Sequence, residues 1–185
     1  ALAVLTKGLI GIAFPVMIIG LYLLILNDWR ELKNWYLPSS ILIFLIVALP
    51  WHIAIQIKHP SFAYFYFINQ QFIRYATNDA SRYEPCYFYS LVFLVGFFPW
   101  TAFILQAFRR CWPRWKERQS KKVELFFLLW FFSILLFFTI SQSSLIPYIL
   151  PIFPPAAIIT GVYFSKRPNA TTGLAIGVTL LPLIA

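Results

Sequence analysis

Three basic residues, Lys7, Arg74 and Arg82, stand apart from the main basic run of the chain, and a hydroxyl-rich segment, Ser141-Gln142-Ser143-Ser144, leads into Leu145-Ile146-Pro147-Tyr148-Ile149-Leu150-Pro151. Cations and unpaired backbone N–H groups are the two devices proteins use to hold a phosphate. Lys7 has apolar residues on both sides, and a cation beside hydrocarbon is costly enough to be a functional candidate by default. The plain alternative is a lysine reaching the interface on its apolar stem. Serine is a good helix N-cap and proline suits a first turn. A helix starting at this segment aims its positive dipole end outward, where an anion binds. A tight turn between two spans accounts for the same residues. Pro151, Pro154 and Pro155 then disturb the following turns and free carbonyls to line a cavity.

The stretch 58–86, KHPSFAYFYFINQQFIRYATNDASRYEPC, is too polar to span a membrane and too aromatic for a free linker. Phe62, Phe65, Phe67 or Ile68, and Phe72 recur at near-helical spacing, which predicts an amphipathic helix in the interface plane. Its polar part carries Asn69, Gln70, Gln71, Arg74, Asn78, Asp79, Arg82 and Glu84. Two readings stand: a solvated cover whose Arg82–Glu84 surface pair contributes little, or a lid facing a substrate.

The elements that must position these residues follow from composition. Apolar residues are 61% of the 185, and charged residues only 11%. A soluble domain of this size has too much surface for its volume to hide that apolar share. Continuous apolar runs predict spans at 9–26, 37–57, 87–108, 125–140 and 145–164, with a sixth, 173–185, cut short. Such runs suit helices of ~20 residues and lack the alternation of barrel strands. The expected fold is an all-α, polytopic transmembrane bundle with an external interfacial helix or loop at 58–86. The chain opens without an initiator methionine or targeting segment and closes in an apolar run, which predicts an internal segment of a longer polytopic protein.

Charge sets the orientation. Of the 15 Lys and Arg residues, eleven fall in 27–36, 109–124 and 165–172, on one side of the predicted spans. By the positive-inside rule that side is cytoplasmic. The run RRCWPRWKERQSKK in 109–124 is then a topology anchor attracted to anionic lipid, and the net charge of +9 does not argue for nucleic acid. Lys7, Lys58, Arg74 and Arg82 lie on the external side. Cys86 and Cys111 fall on opposite sides, so they cannot pair, and neither has zinc-site spacing. Asn169-Ala170-Thr171 matches a glycosylation acceptor but falls on the cytoplasmic side.

An ordered set of short motifs resembles the GT-C glycosyltransferases of the protein mannosyltransferase type, and among these the bacterial lipid A 4-amino-4-deoxy-L-arabinose transferases. The set runs Leu5-Thr6-Lys7-Gly8, Ala48-Leu49-Pro50-Trp51-His52, His59-Pro60-Ser61-Phe62, Phe72-Ile73-Arg74-Tyr75 and Arg82-Tyr83-Glu84-Pro85. It continues with Gly96-Phe97-Phe98-Pro99-Trp100, Ser141-Gln142-Ser143 and Pro147-Tyr148-Ile149-Leu150-Pro151. The resemblance implies inverting transfer of a sugar from an undecaprenyl-phosphate carrier to lipid A, another glycan or a protein. It places this at the outer face of a bacterial inner membrane, in a multi-pass protein needing neither metal nor other cofactor. It puts Lys7 and Arg74 near the carrier phosphate, and Arg82, Glu84, Ser143 and Tyr148 around the donor.

The chain departs from the family pattern in two places. A His-containing stretch ahead of the arginine is here Asn69-Gln70-Gln71, and Ser-x-Ser-Lys is here Ser141-Gln142-Ser143-Ser144. The acidic residues that activate the acceptor in the family belong to a loop upstream of residue 1, so the resemblance names no catalytic base here. A transporter or flippase of lipid-linked sugar phosphates would use the same cations without chemistry, although the internal repeats common in transporters are not evident. A structural membrane subunit would leave the external cations unexplained.

Overall fold

The computed structural model describes residues 1–73, 84–141 and 144–166. The chain divides into two compact units, residues 1–84 with 141–144, and residues 85–140 with the chain from Leu145.

In the first unit, α1 (Leu2–Lys7) and α2 (Ile10–Leu26) are separated by Gly8, whose φ of 80° suits a residue without Cβ. The two helices approach closely because Gly11 has no side chain: a Cβ there would lie 2.8 Å from the Ala3 carbonyl carbon. Asn27, at φ 55°, ends α2 in the left-handed conformation that asparagine tolerates. A 3₁₀ helix, Trp29–Trp35, leads into α3 (Leu37–Lys58). At 22 residues, α3 is ~33 Å long at the α-helical rise. Ala48 is its one buried residue, and Ile43, Ile46 and Ile53 are more than half exposed. After a turn, Tyr64–Ile73 winds as a π-helix. Helix forms where the aromatic spacing predicts it, but with wider turns than the α-helical period implies.

The second unit holds α4 (Phe88–Gly96), α5 (Thr101–Cys111), a 3₁₀ turn at Trp115–Glu117, and α6 (Lys122–Ile140). A 3₁₀ helix, Ile146–Ile152, then runs into α7 (Phe153–Ser165). The run 87–108, read from sequence as one span, is two helices bent by 108°. Gly96 and Pro99 bracket the break. Proline cannot donate a helical hydrogen bond, and Gly96 leaves room for the Phe153 ring, 3.0 Å from where a Cβ would stand. Rings fill the core: Phe131 meets Phe93 at 5.0 Å and Phe108 at 4.8 Å, both edge-on, the geometry aromatic quadrupoles favour. Ala107, Cys111, Leu128, Ile159 and Tyr163 form a buried cluster where α5, α6 and α7 meet. The Tyr163 hydroxyl donates to Gln106 Oε1 at 2.7 Å, so its polar tip is satisfied.

Among the described residues, Leu32–Lys58, Lys122–Ile140 and Ile146–Ser165 are long and apolar enough to cross a membrane. The bent pair adds a fourth if taken as one span. The helix in 9–26 is shorter, at 17 residues. The stretch 173–185 lies outside the described residues. At 125–140 the helix begins earlier, at Lys122, so the predicted basic loop 109–124 ends in a helical turn.

Candidate functional site

Lys7 is the last residue of α1 and is exposed. Among the described residues its ammonium has no ion pair or hydrogen bond. What surrounds its helix end is more ordered. The Val4 carbonyl accepts two hydrogen bonds, from Gly8 N–H at 2.9 Å and from the Tyr66 hydroxyl at 3.2 Å. Tyr66 lies on the π-helix, 62 residues along the chain.

Its ring sits in an aromatic cluster: stacked on Phe62 at 5.0 Å, and edge-on to Phe67 at 5.2 Å, His52 at 5.8 Å and Trp51 at 6.4 Å. Burial pushes the Tyr66 hydroxyl above the usual tyrosine range. His52 Nδ1 lies 2.8 Å from the Ala48 carbonyl and must donate to it, because a carbonyl only accepts. The Nε2 of His52 is left buried without a partner. Gln56 fastens the turn into the π-helix: its Nε2 donates to the Pro60 carbonyl at 2.6 Å, and its Oε1 accepts from Ala63 N–H at 2.9 Å. His52, Gln56, Phe62 and Phe67 also line a groove of about 290 Å³.

Of the other expected site residues, Arg74, Arg82 and Ser143 lie outside the described residues. Glu84 is exposed, and no hydrogen bond or ion pair joins it to Lys7. Tyr148 belongs to the second unit, half-buried and stacked on Phe138 at 5.2 Å. The helix carrying it differs from the expected serine-capped one. Its N-cap is Leu145, no side chain caps it, and its first turns are 3₁₀. The Leu145 N–H is already taken by the Tyr89 hydroxyl at 3.0 Å. Ser141 and Ser144 are buried. The α-helical part begins only at Phe153, with prolines in its first turn.

Sequence reasoning passed over Trp51, His52 and Tyr66 as individual site residues. His52 counted as a polar interruption of a span, and a polar residue inside an apolar run was the available signal. A second groove, of about 610 Å³, lies at the α4–α5 bend, lined by Gly96, Phe98, Trp100, Phe153, Ala157 and Phe164. Its walls are mostly apolar, with Thr160 among them, which suits a hydrocarbon chain better than a polar ligand. Cys86 and Cys111 are both free, the first exposed and the second buried. Among the described residues no group of three or more His, Cys, Asp or Glu could hold a metal ion.

Comparison with known proteins supports the resemblance read from the motifs. No protein-family model matches the chain. The undecaprenyl phosphate-alpha-4-amino-4-deoxy-L-arabinose arabinosyl transferase of Aeromonas hydrophila is 34% identical over 155 residues, 84% of this chain and 28% of that protein. The transferase of the same name from Pseudomonas paraeruginosa is 32% identical over 189 residues, 98% of this chain and 34% of its own length. The crystal structure of ArnT from Cupriavidus metallidurans bound to undecaprenyl phosphate superposes with a TM-score of 0.83 at 28% identity, over 97% of this chain and 32% of that one.

The chain is homologous to these GT-C arabinosyl transferases. It spans about a third of the length of the curated relatives it matches. Among the described residues this chain is helical, with helices long and apolar enough to cross a membrane, and the motif that ends in Lys7-Gly8 falls at the end of α1.

Proposed function

We propose that this chain works as a membrane glycosyltransferase, moving a sugar from an undecaprenyl-phosphate carrier to an acceptor such as lipid A at the outer face of the bacterial inner membrane. The observation that carries the reading is the match over 97% of the chain to a transferase whose crystal structure holds undecaprenyl phosphate. In the proposed reaction the bond from the sugar's anomeric carbon to the phosphate oxygen breaks as an acceptor oxygen bonds that carbon, and the acceptor's proton leaves to a base. Negative charge grows on the departing phosphate. Lys7 and Arg74 stabilise it, and fixed cations in a water-poor site do this with little reorganisation. Arg82, Glu84, Ser143 and Tyr148 shape the donor pocket. The reaction calls for no metal or other cofactor, because the carrier phosphate is itself a competent leaving group.

The test is sugar transfer by the intact membrane-embedded protein, with undecaprenyl-phosphate 4-amino-4-deoxy-L-arabinose as donor and lipid A as acceptor. Lys7→Ala and Arg74→Ala should each lower turnover about 100-fold, the usual effect of removing one group that stabilises transition-state charge. Undiminished turnover in both variants would overturn the site assignment. Carrier binding without transfer by the parent protein would favour a flippase.

A further inference from the structure

We propose that Tyr66 is a positioning residue for Lys7: its hydroxyl holds the end of α1 so that the lysine ammonium stands where a lipid phosphate can reach it. The proposal rests on the reading above and adds a residue to it. Lys7 is exposed and lacks a side-chain partner among the described residues, so its place depends on the backbone that carries it. That backbone turns sharply at Gly8, with φ at 80°. The turn is closed by the Val4 carbonyl, which receives Gly8 N–H and the Tyr66 hydroxyl together.

Val4 is buried, so removing Tyr66 would leave its carbonyl with a single donor and little access to water. The bond does more than satisfy an oxygen. The Tyr66 ring is wedged against Trp51 and His52 of α3, and the segment bearing it is fastened to α3 by both ends of the Gln56 amide. A line of fixed contacts therefore runs from α3 through Tyr66 to the turn beneath Lys7. The π-helix that holds Tyr66 ends at Ile73, directly before Arg74 in sequence. One hydroxyl thus ties the segment leading to the second cation to the helix that ends in the first.

The experiment is a double-mutant cycle on the intact protein in lipid nanodiscs. Binding of undecaprenyl phosphate is measured beside undecaprenol, which lacks the phosphate. Tyr66→Phe keeps the ring and its stacking while removing only the hydroxyl. It should weaken undecaprenyl phosphate about threefold to tenfold, the range for one net hydrogen bond, and leave undecaprenol unchanged. In a Lys7→Ala background the same substitution should have no further effect, because the group it positions is gone.

The proposal is overturned if Tyr66→Phe binds undecaprenyl phosphate as the parent does, weakens undecaprenol equally, or acts in full in the Lys7→Ala background. Any of these, in a parent that binds undecaprenyl phosphate more tightly than the Lys7→Ala variant does, leaves the transferase reading intact. A parent that does not distinguish undecaprenyl phosphate from undecaprenol overturns both.

Discussion

In residues 85–166 rings from one helix meet rings from another: Phe93 of α4 and Phe108 of α5 both close on Phe131 of α6. In residues 1–84 the longest helix, α3, turns most of its apolar side chains outward, and only 6% of its most apolar stretch is buried, against 33% and 39% for the other two long helices. Both units are apolar, so hydrophobicity does not separate them. The difference is what each unit packs against. Lipid solvates leucine about as well as protein does, so association inside a membrane depends on shape and polar contacts. The second unit supplies shape through interlocked aromatics. The first uses small-residue contact at Gly11 and a few directed hydrogen bonds through Tyr66 and Gln56. The Gln56 bonds hold the segment bearing Tyr66, and the Tyr66 bond reaches the helix that ends in Lys7, so in this unit a few polar contacts set where that helix end lies.

The widest gap between the units should appear on truncating one side chain in each. Phe131 is 2% exposed. Phe131→Ala removes the edge-on ring contacts to Phe93, Phe108 and Phe132 and opens a cavity, a change that costs about 3–5 kcal/mol in well-packed cores. Ile43, on α3, is 62% exposed, and Ile43→Ala should stay within about 0.5 kcal/mol. Unfolding by sodium dodecyl sulfate in mixed micelles reads both. Equal losses would erase the contrast and mean that α3 packs as tightly as α6.

Two glycines sharpen the comparison at a smaller scale. A Cβ on Gly11 would meet backbone, 2.8 Å from the Ala3 carbonyl carbon and 2.9 Å from the Val4 nitrogen. A Cβ on Gly96 would meet the far edge of the Phe153 ring at 3.0 Å, and a ring can swing. Gly11→Ala should therefore displace α1 and cost about 1–3 kcal/mol as an overpacking change, and Gly96→Ala should cost less. Because α1 ends in Lys7, Gly11→Ala should also weaken undecaprenyl phosphate binding, whereas Gly96→Ala should not. Parallel unfolding and binding measurements separate the two effects.

How much of this could be read from the residues depends on the range of the interaction. Lys7 stands out in the sequence because a lone cation in an apolar run breaks a local pattern, and the structure places it at the exposed end of α1. The amphipathic segment at 64–73 was legible through its ring spacing, but not the π winding, because a hydrophobic period does not fix which carbonyl each N–H chooses. The bend within 87–108 escaped a hydropathy reading, since both arms are apolar, although Gly96 and Pro99 were visible punctuation. Tyr66 could not be found at all. Its partner is a backbone carbonyl far along the chain, and a backbone oxygen leaves no mark in sequence. The serine cap was misplaced for a related reason: the Leu145 N–H is served by Tyr89, from another helix.

The least consequential contacts should be the ion pairs at the basic end of the second unit. Glu117 lies 2.9 Å from the Lys121 ammonium, and the hydrogen bond to that lysine holds its carboxyl below the usual carboxylate range. A carboxyl with a lowered folded-state pKa stabilises the fold at pH above its unfolded value. That contribution disappears as pH falls through the folded one. Here both partners are substantially exposed, so water and salt screen the pair. Glu117→Gln should therefore leave the unfolding midpoint at neutral pH unchanged in 0.15 M salt. Any effect should emerge only at low ionic strength and fade on acidification. A neutral-pH loss comparable to that of Phe131→Ala would mean that charge at 109–124, rather than ring packing, holds the second unit together.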